Sequence, residues 1–260
     1  MLNIKFISIF MLLCSLVACD MEKYPEPESD NCPEVLIYSG MTMIQPLKEI
    51  SALVEAAENC KIIITYGGSG HILRSVEVNQ MGDLFFPGDD SYIDILQEQA
   101  VVTESVQVGY NQAGLFVQPG NPKQISSDLK NLQNKQLNIV IGTQKAGAIG
   151  RETARILRQA GNYQEVINNC LYMTTDSKGL AKAIKNKNAD LVVNWKAVSF
   201  LPDNIGKMTF LPLSGKEIDK QPLVMGLLTY SQHPDLARKI MEMASTEVGQ
   251  NIFRKYGFLD

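Results

Sequence analysis

The chain has 260 residues, is 45% hydrophobic and carries a formal net charge of −4. That is enough apolar material for a sizeable core or two, and an acidic total without a basic stripe excludes the electrostatic footprint of a nucleic-acid-binding protein. Net charge says little about small buried anions, whose binding is decided by local donors.

At the N-terminus Lys5 precedes an apolar stretch from Phe6 to Ala18. The stretch is several residues short of the roughly 20 needed to span a bilayer and ends in small residues, which predicts a secretory signal over residues 1–18 rather than a membrane helix. Leu16-Val17-Ala18-Cys19 resembles the lipobox of bacterial lipoproteins. That resemblance implies lipidation of Cys19, export, and attachment to the periplasmic or cell-surface face of a membrane. Residues 19–31 contain three glutamates and two prolines with no apolar period, a composition that predicts a flexible tether.

From Pro33 onward short apolar runs alternate with amphipathic segments. Strands are predicted at 35–38, 62–66 and 83–86, and helices at 44–59, 72–80 and 91–99. A β-rich crossover at 106–118 leads to a second series: strand 137–141, helix 151–160, strand 171–174, helix 179–186 and strand 190–194. An apolar run at 223–230 precedes helices at 234–244 and 247–256. Two βαβ series imply an α/β chain with two mostly parallel sheets. A chain that crosses twice between them gives two lobes joined by a two-strand hinge, with residues 32–112 plus 227–260 as lobe 1 and 113–226 as lobe 2. Cys32 and Cys60 each lie just before a predicted strand. If those strands are parallel neighbours the thiols share an edge, and a Cys32–Cys60 disulfide worth about 3 kcal/mol is expected. Cys170 is left over and reads as a buried free thiol before it reads as a metal or catalytic group.

Ligands of open α/β sheets gather beyond the carboxyl ends of the strands, where helix N-termini present unpaired N–H groups. The loops there are rich in glycine and hydroxyls: Ser39-Gly40-Met41-Thr42, Gly67-Gly68-Ser69-Gly70-His71, Gly142 to Gly150, Thr174 to Ser177, and Asn194-Trp195-Lys196. Gly68 and Gly70 let backbone approach a ligand, and Thr42 and Ser69 either cap a helix or donate to an anion. No Gly-Lys-Ser/Thr follows Gly67 to Gly70, and no dinucleotide fingerprint is present, so no nucleotide cofactor is expected. His71 is either a ligand contact or a solvated side chain. Arg151 begins a predicted helix, where a cation opposes the helix dipole unless something anionic is near. Asp89 and Asp90 read as helix caps ahead of acid–base or cation-holding groups, and Trp195 either walls a pocket or closes the core.

Tyr38-Ser39-Gly40-Met41-Thr42, Tyr66-Gly67-Gly68-Ser69-Gly70, Gly82 to Asp89 and the closing Gly249 to Phe258 resemble the periplasmic molybdate-binding proteins of ABC transporters. The resemblance runs from Val35 to Phe258. It implies a type 2 periplasmic-binding-protein fold that closes two lobes on a small oxyanion such as molybdate or tungstate. Delivery to permease and ATPase subunits is implied with it. Carried over by position, the family's two oxyanion-binding serines fall on Thr42 and Ser69, and its backbone donors fall near Ile149 and Ser177. Asn194-Trp195 stand where the family has a ligand-binding tyrosine.

The expected protein is therefore a lipid-anchored, monomeric solute-binding protein with no cofactor and no metal site. The alternatives are a receptor for another small solute, with Arg151 or His71 supplying charge or with a signalling role, and an exported enzyme on the same scaffold. Against the enzyme, the body holds only His71 and His233, no Gly-x-Ser-x-Gly elbow and no ligand cluster at metal spacing.

Overall fold

Period-two alternation organises the first sheet. In β3 (Leu84–Phe86) the outer two residues point into one hydrophobic cluster while Phe85 points into the other. The computed structural model describes residues 32–213 and 220–259. The expected signal, Cys19 and the tether lie outside the described residues.

The chain begins with β1 (Glu34–Gly40), a 3-10 turn over Met41–Met43 that runs directly into α1 (Ile44–Glu58), β2 (Lys61–Gly67) and α2 (Ser69–Asn79). After β3 come α3 (Ser91–Glu98) and the long β4 (Val102–Asn111). Gln112 alone separates β4 from β5 (Ala113–Val117), which belongs to the second sheet. There follow β6 (Ile139–Gly142), α4 (Ala148–Gln159), α5 (Tyr163–Asn169), β7 (Tyr172–Thr174), α6 (Ser177–Lys185), β8 (Leu191–Trp195) and β9 (Thr209–Pro212). The chain then returns to the first sheet with β10 (Gln221–Leu228), α7 (Pro234–Ser245) and α8 (Glu247–Lys255).

The sheets have the orders β2-β1-β3-β10-β4 and β7-β6-β8-β5-β9. In each, one strand is flanked by two parallel partners: β1 by β2 and β3, and β6 by β7 and β8. The strands on either side of the crossings, β4 and β10 in one sheet and β5 and β9 in the other, pair antiparallel. This is the two-lobed α/β architecture with a two-strand hinge that the sequence pattern predicts. All of β10 pairs within the first sheet.

Apolar periodicity accounts for the packing. Ile44, Leu47, Ile50 and Val54 of α1 face the first sheet together with Ala237 and Ile240 of α7 and Phe253 of α8. Phe253 meets Phe86 and Phe258 edge-on at 5.9 and 6.0 Å between ring centroids. The closing Gly249 to Phe258 motif is thus the cap of the first sheet's core. On the opposite face Ile72, Val76, Phe85, Tyr92 and Ile93 join a cluster that continues into the second lobe. Helix α1 ends at Asn59, which adopts the left-handed conformation at φ 47°.

Cys32 and Cys60 stand beside the first residues of β1 and β2, whose register pairs Glu34 with Lys61. The neighbouring-edge placement holds, but the expected disulfide is not formed in the structure. Both are thiols, as is Cys170. The Cys32 thiol donates to the Asn59 carbonyl at 3.3 Å instead, and burial, with Cys32 close by, pushes the Cys60 thiol up from its ordinary pKa.

Asp83 ties the first sheet together from inside. Its carboxylate is buried and accepts from Leu36 N at 2.7 Å, Ser231 Oγ at 2.6 Å, Gln232 N at 3.1 Å and His233 N at 3.2 Å. One side chain thereby joins β1 to the turn between β10 and α7. In Asp83→Asn the amide nitrogen faces donors it cannot accept from, so a loss of about 2–3 kcal/mol is expected. Denaturant unfolding checks this, and a loss below about 0.5 kcal/mol would contradict it.

Candidate ligand-binding site

The parallel strands of both sheets direct their carboxyl ends at the gap between the lobes, and the helices that follow start there. A small cavity sits at this point, lined by Gly40, Met41, Thr42, Gly67, Gly68 and Ser69 from the first lobe. Gly88 completes that side, and Gly147, Ala148, Ile149, Asp176, Ser177 and Trp195 form the other. The cavity is small.

The lining is made of helix beginnings. Met41 and Thr42 open the turn that leads into α1, Ser69 opens α2, Ala148 and Ile149 open α4, and Ser177 opens α6. Such residues carry N–H groups that have no partner within the helix. Three of the four N-caps are glycines, Gly40, Gly68 and Gly147, and none makes a side-chain cap. The fourth, Asp176, spends its carboxylate on Gly179 N at 2.8 Å. Partial positive charge from these helix ends therefore converges on one small space, and no lysine, arginine or histidine lines it.

The hydroxyls are placed for donation. Ser69 Oγ accepts from Gly88 N at 2.9 Å, which leaves its O–H as a donor. Since Gly68 is the N-cap of α2, Ser69 is not capping the helix. Thr42 Oγ1 rests on the Met43 sulfur at 3.2 Å, a weak acceptor.

Asn194 is fully buried but does not line the cavity. Its amide donates to the Ser177 carbonyl at 3.0 Å and its carbonyl accepts from Trp195 N at 2.9 Å, so it orients two lining residues. Trp195, also buried, forms one wall. Gly70 faces the other lobe, donating its N–H to the Ala146 carbonyl at 3.1 Å. His71 is exposed on α2 and outside the lining.

Arg151 also stands outside the lining, where it joins the lobes. From α4 it donates to Ser91 Oγ at 2.6 Å and lies 3.8 Å over the Tyr92 ring, both on α3. Ser91 in turn donates to Asp89. Burial pushes the Asp89 carboxyl up to about 6, against the lowering effects of its Ser91 hydrogen bond and of Arg151. Asp89 is held in this interlobe chain, while α3 starts after Asp90, which makes no side-chain cap.

Sequence reasoning did not single out Met41, Gly88, Gly147, Ala148 or Asp176 as lining residues. A readable signal existed for part of this set, since glycine stands in the N-cap position of three helices that follow strands, where Ser, Thr, Asp or Asn is the ordinary choice. Predicted starts at 72, 151 and 179 lie two or three residues beyond the observed starts at Ser69, Ala148 and Ser177. The small and polar residues of these first turns carry no apolar period.

Residues 35–259 match the family model for bacterial extracellular solute-binding proteins. The chain belongs to that family. This solute-binding protein is 24% identical over 226 residues to a protein of Haemophilus influenzae described as a binding protein, covering 87% of this chain and 91% of the relative. Its fold is that of the Azotobacter vinelandii periplasmic molybdate-binding protein, with a TM-score of 0.76 at 12% identity, covering 87% of this chain and 99% of the other. It is also that of the sulfate-binding protein of Mycobacterium tuberculosis, with a TM-score of 0.74 at 14% identity and coverage of 87% and 86%. The fold is thus of the type 2 periplasmic-binding class, and the chain is a binding protein and not an enzyme. Among the described residues no helix is long and apolar enough to cross a membrane.

The geometry makes Gly68 a probe of closure. A Cβ built there would lie 2.6 Å from the Ala146 carbonyl oxygen and 2.9 Å from that of Thr175, both in the other lobe. Its backbone, at φ −64° and ψ 140°, is open to alanine. Gly68→Ala is therefore expected to hold the lobes apart while changing unfolding by no more than about 1 kcal/mol, the cost of a poorer N-cap. Small-angle scattering of parent and variant with the same anion at saturation checks this, and equal radii of gyration would contradict it.

Proposed function

We propose that this solute-binding protein holds a small tetrahedral oxyanion of the molybdate or tungstate kind between its lobes and hands it to the permease and ATPase subunits of an ABC transporter. The observation that carries the reading is the convergence of three glycine-capped helix N-termini on a cavity lined by no cationic side chain. An anion held there is neutralised by N–H dipoles and by the hydroxyls of Thr42, Ser69 and Ser177 rather than by ion pairing. The small volume favours a compact ion over a bulky organic solute. Arg151 and His71 stand outside the lining, so an anionic solute finds no cationic side chain to pair with in it. The molybdate- and sulfate-binding proteins that share this fold agree with the reading.

Closure around the ion follows from the division of donors, since Thr42 and Ser69 lie on one lobe and Ile149 and Ser177 on the other. We take residues 1–18 as a signal, Cys19 as the lipidated residue and residues 19–31 as the tether. These lie outside the described residues and rest on the sequence.

Thermal unfolding in molybdate, tungstate, sulfate, phosphate and small organic acids tests the ligand class. An ion at 100 times its dissociation constant stabilises the native state by about 2.7 kcal/mol, and stabilisation by an organic acid alone would overturn the proposal. Ser69→Ala is expected to weaken oxyanion binding by about 1.5–3 kcal/mol in titration calorimetry. A smaller loss of stability should accompany it, because Gly88 N also loses its partner. Unchanged affinity in that variant would remove Ser69 from the site. For the anchor, fatty-acid labelling of the protein in a bacterial host is expected for the parent and lost in Cys19→Ala, and labelling that persists in the variant would place the lipid elsewhere.

A further inference from the structure

We infer that Asn111 is a positioning residue that couples the hinge to the ligand-binding hydroxyl of Ser69 through the backbone of Gly88. The inference rests on the oxyanion reading of the cavity only for its ligand-dependent part. Asn111 is the last residue of β4 and pairs with Gln221, the first residue of β10, so it stands at both crossings between the lobes. Its side chain is completely buried, and its amide nitrogen donates to the Gly88 carbonyl at 2.9 Å. The Gly88 N–H donates in turn to Ser69 Oγ at 2.9 Å.

These two bonds fix the peptide units on either side of Gly88, a residue whose lack of a Cβ otherwise leaves its backbone free to rotate. Gly88 lines the cavity, and a Cβ built there would lie 2.9 Å from the Ala148 Cβ of the opposite lobe. Fixing Gly88 therefore fixes which lone pair of Ser69 is occupied and where its O–H is free to point. The hinge reaches the other lobe in the same stretch. The Gln112 carbonyl accepts from Lys196 N at 2.7 Å, and Ala113 pairs with the cavity wall residue Trp195.

Packing does not explain the choice of asparagine. Its Oδ1 is buried and has no hydrogen-bond partner among the described residues, which is a cost that an apolar side chain of similar size would avoid. What asparagine supplies and leucine cannot is the N–H to Gly88.

The test uses the full mature protein and the variant Asn111→Leu, with three measurements: denaturant unfolding without ligand, affinity for the oxyanion that most stabilises the parent, and ligand-free hydrogen exchange across residues 84–91. Trp195 is the single tryptophan, so its fluorescence follows binding. The expected result is little change in stability, because losing the unsatisfied Oδ1 offsets the orphaned Gly88 carbonyl, with affinity lowered about tenfold or more and faster exchange around Gly88. Unchanged affinity and exchange would overturn the coupling, and so would a fall in affinity that merely tracks a fall in stability. If no oxyanion binds the parent, the proposed function fails while exchange still decides the coupling: acceleration around Gly88 upholds the hinge-to-loop link and unchanged exchange refutes it.

Discussion

An α-helix begins with N–H groups that its own backbone cannot satisfy, and this protein brings four such beginnings to one point. Everything else in the architecture serves that meeting. The parallel strands β1 and β2 in one lobe and β6 and β7 in the other end facing the gap, and each is followed by a helical turn that starts in it. Three of the starts carry glycine where a capping side chain would otherwise consume a donor. Left without a ligand, the cavity is a cluster of poorly satisfied dipoles with like ends together. On the proposed reading an anion is the complementary occupant.

The contacts between lobes are of a different kind from those with the ligand. Gly70 donates across to Ala146, Gly68 lets the two backbones approach, and Arg151 reaches from α4 to Ser91 and the Tyr92 ring. None of these groups needs the ligand as a partner, so they join the lobes independently of the helix ends. The division is economical in charge, because Arg151 is stacked and hydrogen-bonded beside the cavity rather than in it. Neutral donors then face the ligand at fixed geometry, and a site of this kind excludes solutes by shape and by the number of acceptors they offer.

The one-residue crossing between β4 and β5 adds a mechanical constraint. With Gln112 alone between β4 and β5, little slack separates the sheets. Residues 111–113 touch the Gly88 side of the cavity in one direction and the Trp195 side in the other. Binding and bending are thereby referred to the same few residues. Asp83 and the Phe86–Phe253–Phe258 cluster hold the elements of the first lobe together.

Alternating apolar runs such as Ile62-Ile63-Ile64 and Leu191-Val192-Val193, separated by amphipathic segments, determined the two βαβ series, because burial of each strand and helix face leaves a period in the chain itself. The same chain announced where strands end, through glycine and hydroxyl clusters around Thr42, Ser69 and Ser177. It did not announce where the helices begin, since Ser69, Ala148 and Ser177 are small or polar and become helical only because the lobe places them there. Nor did it separate His71 and Arg151 by role: one residue's difference along a helix decides between cavity, interface and solvent, and that depends on rotation about an axis fixed by packing. Whether Cys32 meets Cys60 or the Asn59 carbonyl is settled by local rotamers at a strand edge. Asn111 left no sequence signal at all, because its meaning comes from Gly88, 23 residues away in the chain and 2.9 Å away in space.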